Sequence, residues 1–430
     1  MIGKRTWLVV ACTVLSLVAW AGDGIPIGNA VFYPSVEAVY THTDNLFLQD
    51  ASMPYGNIGD SFWEIRPTVG IEFPFKESSI RLDLGYQYKD YRTYHLSSHN
   101  TYYADFKGNF KFSNGMLLDV DNHFIRGVQE VHEFDPGYEQ YYSNTPFDAD
   151  NAKAGLTMPV TRLNTLTVYG LYNYVHFTNQ HNQTTPFYNY DQSGGGLTWK
   201  YHYSPTSAVL VDAQYLSNHP SFSPQDVFLY INPNRRYDQQ TYMLGWEGAA
   251  GRRLTGFAKV GYSNMHFKDN PFASYRGLVA ESGLGFEATQ YTRFDLKLIR
   301  EPYQSVYNVN NYYTATGGTL QMQQQVSRIF FWTLGYMYQE NKYPNNVVAD
   351  PLVLGFVPPL EYALTAGENR TDKIGRAFAE IGIHATRQIS FRANYQYEDR
   401  RSDINYLDTW LRKPYSYAEN RFSLQFEIGW

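Results

Sequence analysis

Residues 421–430 read Arg-Phe-Ser-Leu-Gln-Phe-Glu-Ile-Gly-Trp, a polar–apolar alternation that ends on an aromatic residue. Successive side chains of a strand point to opposite faces. Phe422, Leu424, Phe426, Ile428 and Trp430 therefore share one face, and Arg421, Ser423, Gln425 and Glu427 the other. The pattern recurs along the chain. Residues 63–73 set Trp63, Ile65, Val69, Ile71 and Phe73 against Glu64, Arg66, Thr68 and Glu72. Residues 80–89 set Ile80, Leu82, Leu84, Tyr86 and Tyr88 against Arg81, Asp83, Gln87 and Lys89. Similar runs lie at 293–298 and 389–400. Each full run is about ten residues, the length a tilted strand needs to cross a bilayer. Charge at every second position excludes a transmembrane helix, and no apolar run after the N-terminus approaches the roughly 18 residues one requires.

A chain that stops on an aromatic strand residue looks like the C-terminal signal by which bacterial outer-membrane barrels are recognised for assembly. Composition is compatible with that class. Hydrophobic residues make up 43% and the mean hydropathy is -0.45, values of a soluble protein, because only the outward half of each barrel strand meets lipid. Tyrosine stands out at 39 residues; its apolar ring and polar tip suit strands and membrane interfaces alike. A soluble propeller or sandwich would also show many alternating strands. It would not combine them with an aromatic terminus and with connections that alternate short and long.

Residues 1–21 read as a secretory signal peptide: Lys4 and Arg5 supply the positive end, Trp7 to Val18 the apolar segment, and Ala19-Trp20-Ala21 a small-x-small cleavage site. The barrel is then expected over residues 22–430. Cys12 is the only cysteine, and too little apolar sequence precedes it for a lipoprotein box. A mature chain without cysteine excludes disulfides, thiolate metal sites and c-type haem attachment. Removing Lys4 and Arg5 leaves 33 basic against 41 acidic residues, a net of -8. That balance is mild, and no basic cluster points to nucleic acid.

Short turns are expected near 74–78, 113–115, 159–162, 204–206, 250–252, 289–290, 327–328 and 386–387. Longer polar stretches fall at about 43–60, 92–100, 129–148, 179–188, 219–236, 268–274, 303–310, 343–371 and 402–415. Eight turns and nine loops separate eighteen strands, an even count with both termini on the periplasmic side; sixteen would result if one weak segment is not divided. The expected fold is all-β, a transmembrane antiparallel up-and-down β-barrel of about eighteen strands. Pro67, mid-strand, lacks an N–H for the ladder and predicts a bulge.

The N-terminal run Tyr33 to Phe47 carries an apolar strand into Asp44-Asn45-Leu46-Phe47, and Tyr-x-Tyr followed by charge recurs at 86–92 and 395–401. These elements resemble the family called putative beta-barrel porin type 2. The resemblance implies an outer-membrane barrel. Because some relatives are associated with exopolysaccharide production, it also implies a role in moving polysaccharide through the outer membrane.

No catalytic set is evident. The 11 histidines are scattered, with no His-Glu-x-x-His and no His-Glu-Ser-Asn-Gly. Ser217-Asn218-His219-Pro220 lies at a strand-to-loop junction, where polar residues belong in any case. No calcium-spaced Asp-x-Asp loop occurs, so neither metal nor cofactor is expected, and no enzyme. Barrel closure joins the last strands to the first, and the inward set of that wall is Glu37, Glu64, Arg66, Arg81, Asp83, Arg392, Glu398, Arg400, Arg421 and Glu427. Such charges either pair to fill a hydrated lumen or set solute preference. Loop 129–148 carries Glu133, Asp135, Tyr138, Tyr141 and Tyr142, carboxylates for sugar hydroxyls and rings for pyranose faces. The alternative for that loop is an ordinary exposed connection with girdle aromatics. Loop 343–371 is unusually apolar for a solvated loop and is expected to cover the pore mouth, meet a partner or cap its own strands.

The leading function is a porin-like channel passing carbohydrate or secreted exopolysaccharide. The alternatives are a general diffusion porin for ions and small solutes, and a barrel that sheathes a periplasmic partner such as a cytochrome or export subunit. Outer-membrane lipid, the barrel-assembly machinery and polysaccharide or an export subunit are the expected partners.

Overall fold

The structure is a computed structural model that describes residues 24–52, 56–128, 146–177, 189–221, 235–268, 274–305, 311–344, 369–403, 406–408, 411–412 and 416–430. Its core is one closed antiparallel barrel of eighteen long strands. They are β1 (Ala30–Thr43), β2 (Asp60–Phe75), β3 (Ser78–Tyr91), β4 (His99–Lys111), β5 (Leu117–Val128) and β6 (Pro146–Pro159). β7 (Asn164–Phe177), β8 (Asn189–Ser204), β9 (Ser207–Ser221), β10 (Tyr237–Ala250), β11 (Leu254–Phe267) and β12 (Tyr275–Thr289) follow. β13 (Thr292–Gln304), β14 (Tyr312–Gln325), β15 (Phe330–Tyr343), β16 (Arg370–His384), β17 (Ile389–Ser402) and β18 (Tyr417–Gly429) complete it. Each strand pairs with its sequence neighbours, and β18 also pairs with β1 from Ser35↔Gly429 to Thr43↔Arg421. The expected signal peptide lies outside the described residues.

Closure is staggered, and the stagger leaves residues 30–34 of β1 beyond the reach of β18. β2 already occupies the other edge of β1, from Val31↔Glu72 onward. Ile25–Ile27 turns back through Gly28, at φ 62°, and pairs with Ala30, Val31 and Phe32. A short strand thus covers an edge that would otherwise present unpaired backbone groups. At the same end of the barrel, a tight turn between β4 and β5 uses Gly115 at φ 83°, with Gly115 N–H donating to the Phe112 carbonyl at 2.9 Å. Only glycine takes that backbone without steric cost.

Midway along the strands, outward positions are mostly apolar and inward positions mostly polar. Trp63, Leu84, Leu244, Leu298, Leu320, Tyr336, Phe422 and Leu424 are all exposed large apolar side chains, which in a bilayer is where lipid covers them. Two expectations need correction. Pro67 causes no bulge: pairing with β3 runs Ile65↔Tyr88 and resumes at Thr68↔Gly85 in the same register. The missing N–H removes rungs but adds no residue, so nothing shifts. Trp430 does not face lipid. It follows the last strand residue, so the pleat no longer dictates its direction. Its N–H donates to the Pro34 carbonyl at 3.2 Å, and the residue is 8% exposed against the lumen.

Large inward rings lie flat on neighbouring glycines. A Cβ added at Gly335 would collide with the Phe378 ring, one at Gly382 with Phe331, and one at Gly85 with Tyr103. Each ring sits directly across the ladder from its glycine, covering the bare backbone as aromatic residues do in other sheets.

Lipid-facing Leu424 (47% exposed) lies mid-strand beside lumen-facing Gln425. Leu424→Arg should lower barrel stability by about 2–4 kcal/mol, the cost of a cation on the lipid face near the midplane. Gln425→Arg should leave it close to wild type. Urea unfolding in bilayers, read by heat-modifiable gel mobility, checks this; equal losses would mean the facing is wrong.

Candidate functional site

The candidate site is the lumen wall. All ten residues expected there from alternation face inward, and most of them are joined in ion pairs. Arg66 bridges Glu37 at 3.5 Å and Glu64 at shorter range. Arg81 forks onto both oxygens of Asp83, with Nε–Oδ2 at 2.8 Å, and its guanidinium stacks 4.8 Å from the Tyr33 ring centre. Arg392 Nη2 lies 3.6 Å from Glu427, to which Ser390 Oγ also donates at 3.2 Å. Arg421 pairs with Glu419 at 2.9 Å. The partners come from residues two apart on one strand, directly across the ladder as Glu37 and Arg66 are, or diagonally across it as Arg392 and Glu427 are, spacings that keep side chains on one face of a sheet.

The remaining two, Glu398 and Arg400, belong to a buried network near the extracellular ends of β15–β18. Arg400 Nη2 donates to Asp372 Oδ2 at 2.5 Å, and Arg370 Nε approaches the same oxygen at 3.3 Å. Arg376 Nε donates to Glu398 Oε2 at 2.6 Å, and the Tyr417 hydroxyl to Glu398 Oε1 at 2.5 Å. Arg370 stacks on the Tyr343 ring at 3.7 Å. The Arg400 and Asp372 side chains are 1% and 0% exposed. Buried charges of this kind are tolerated only when paired.

The same end of the barrel carries inward aromatic pairs: Phe62 with Tyr91 at 4.9 Å, Phe147 with Phe177 at 6.5 Å, Tyr237 with Phe267 at 5.1 Å and Tyr313 with Tyr343 at 5.1 Å. The first three are direct cross-strand partners. The extracellular half of the wall is therefore packed.

The periplasmic half is open, and sequence reasoning passed over much of it. One cavity of about 550 Å³ is lined by Lys107, Lys153, Lys200 and Lys259 together with Asp119, Asp121, Asp212 and Glu247. Asp121 sits between Lys107 and Lys153 as the ladder partner of both. Lys200 Nζ pairs with Glu247 at 2.7 Å, and Lys153 lies 4.8 Å over the Tyr169 ring. A second cavity of about 640 Å³ is lined by Tyr33, Arg81, Asp83, Tyr103, Arg392, Glu427 and Trp430, among others. Between the two, His123 shares a hydrogen bond of 2.5 Å with Asp105. The signal for the lysine group was the same alternation that revealed the first wall, in strands β4–β11.

The loop candidates Glu133, Asp135, Tyr138, Tyr141 and Tyr142 lie outside the described residues, as does loop 343–371 between 345 and 368. Among the described residues no group of three or more His, Cys, Asp or Glu is arranged to hold a metal ion.

A closed eighteen-stranded barrel, apolar outside and charged inside, is a porin-like channel of the outer membrane. The model of the family described as putative beta-barrel porin 2 matches residues 19–413, and the chain belongs to that family. Both findings point to a channel rather than an enzyme. No curated protein matched the sequence. Among solved structures, it is similar to Pseudomonas aeruginosa OccK2 (OpdF) in complex with glucuronate, at 10% identity over 95% of this chain and 100% of that one, TM-score 0.47. Pseudomonas aeruginosa OpdK with vanillate is similar at 10% identity over 94% and 100%, TM-score 0.46. Acinetobacter baumannii OccAB3 is similar at 11% identity over 94% and 100%, TM-score 0.46.

The buried network generates an ordering. Asp372 serves two guanidiniums and Arg400 one carboxylate, so Asp372→Asn should destabilise more than Arg400→Met, each by about 3–5 kcal/mol. Joint replacement by Asp372→Asn and Arg400→Met should cost less than the sum of the two. Urea midpoints of the refolded barrel test this; additive losses would mean the pair is not coupled.

Proposed function

We propose that this barrel is a passive channel for carbohydrate, including secreted polysaccharide. The observation that carries the reading is charge balance within the open half of the lumen. The 550 Å³ cavity presents four lysines and four carboxylates, and its charges are interleaved rather than segregated. A wall of one sign would concentrate the opposite ion; an interleaved wall offers a dense set of donors and acceptors with little net field. Polyhydroxylated solutes exploit such a surface through many hydrogen bonds, and Tyr169, Tyr103 and Tyr33 add ring faces for the apolar side of a pyranose.

Planar-bilayer recording tests it. In a salt gradient the wild-type channel should reverse near zero potential, and uncharged oligosaccharide should reduce the current reversibly. Lys153→Glu with Lys200→Glu should move the reversal potential toward cation preference. Strong ion selectivity in the wild type, with no response to sugar, would instead support a general diffusion porin. A folded barrel with no conductance would support a sheath around a periplasmic partner.

A further inference from the structure

The lysine-lined cavity occupies one side of the lumen, and the opposite side is built differently. β14 and β15 stand across the closed circle of eighteen strands from β5 and β6. Along their whole length they turn no charged residue inward. The lower inward face of β14 reads Thr319, Gln321, Gln323, Gln325. Phe378, near the middle of β16, lies across the ladder from Gly335, and its ring rests on that bare backbone. Gln321 is the ladder partner of Gly335 on its other side, and Gln396 that of Phe378. One row of the wall is therefore Gln321, Gly335, Phe378, Gln396, a phenyl ring laid flat between two glutamines. The next row toward the periplasm is Gln323, Thr333, Glu380, Asn394.

These groups are available to a solute. Gln321, Gln323, Phe378, Glu380, Asn394 and Gln396 are all half-buried. Among the described residues, none of the five polar side chains has a hydrogen-bond or ion-pair partner, and no ring or cation covers Phe378. Other inward rings are occupied: Lys153 lies 4.8 Å over Tyr169, and His384 stacks on Phe331 at 5.3 Å. The charges that border the row are engaged elsewhere. Arg376, two residues above Phe378, donates to Glu398 at 2.6 Å. Asp295, beside Gln321 on β13, is held by Arg293 at 2.8 Å.

We propose that this row is a binding site for an uncharged pyranose unit, stacked on Phe378 and hydrogen-bonded from either side by Gln321 and Gln396. The proposal rests on the carbohydrate reading above and narrows it to neutral sugars. The C–H face of a pyranose is apolar and covers an aromatic face. A glutamine amide both donates and accepts, as a sugar hydroxyl does. Three strand spacings, about 14 Å, separate Gln321 from Gln396, which leaves room for one sugar ring and the two side chains that reach toward it. Glu380 accepts from a pair of hydroxyls on the same unit. With no cation in contact, its carboxylate repels a second one, so uronate units are disfavoured.

The test records current block of the full-length channel in planar bilayers by cellohexaose and by cellohexaose carboxylated at C6. The wild type should be blocked by the neutral probe at least about tenfold more tightly. Phe378→Leu keeps apolar bulk over Gly335 but removes the ring face, and should weaken block by cellohexaose about fivefold. Gln321→Ala with Gln396→Ala should weaken it about tenfold, the loss of two neutral hydrogen bonds. Glu380→Gln should bring the constants of the two probes together. Heat-modifiable mobility confirms folding, and the double glutamine variant is read alone if Phe378→Leu does not fold. Unchanged block in the folded variants would overturn the site and leave the carbohydrate reading standing. Equal or tighter block of the wild type by the carboxylated probe would overturn the neutral-sugar assignment. A wild type that neither probe blocks would overturn the site and the carbohydrate reading together.

Discussion

The structure depends on one requirement, that every backbone N–H and C=O inside the hydrocarbon find a partner in the chain itself. Water is absent there and an open sheet edge would be prohibitively costly, so a spanning sheet must close. Here closure rests on nine residue pairs between β18 and β1, joining segments almost four hundred residues apart. The rest follows from it. An even strand number returns the chain to its starting side, alternation sorts side chains between lipid and lumen, and the stagger that closure demands creates the exposed edge that Ile25–Ile27 covers. The inward turn of Trp430 belongs to the same seam, since its N–H makes the last bond of the closing ladder, to Pro34.

Within the closed wall, electrostatics divides the lumen by height. Near the extracellular ends, Asp372, Arg400, Arg376 and Glu398 are removed from solvent. Such charges contribute to a defined arrangement rather than to net stability, because desolvation opposes their attraction. In the periplasmic half the charges remain hydrated and half-exposed. There oppositely charged side chains alternate along the wall of the open cavity.

Facing and strand number were legible because both follow from local periodicity. The strands β1 and β18 could be drawn from residues 30–43 and 417–429 alone, and their pairing follows from closure. What could not be read was which inward charge meets which. Arg370 and Asp372 stood at the edge of a stretch that reads as loop, so the partners of Arg400 were hidden. The sequence does not display registers such as Asp372↔Ser402, which depend on how far adjacent strands slide. Pro67 misled for a related reason: losing a donor and inserting a residue look alike in sequence, but only the second shifts the ladder. Trp430 misled because period two holds only while the pleat continues, and pairing stops at Gly429.

The rings that rest on glycines carry a consequence for how such a pore varies between relatives. Phe378 on Gly335, Phe331 on Gly382 and Tyr103 on Gly85 hold bulky groups against the wall because there is no methyl beneath them. Replacing any of these glycines by alanine adds one carbon at the wall and lifts an entire aromatic ring off it. Such a change leaves the ladder and the strand count alone. The bore is therefore adjustable by single codon changes, so barrels of one family can diverge in what they admit while keeping one scaffold.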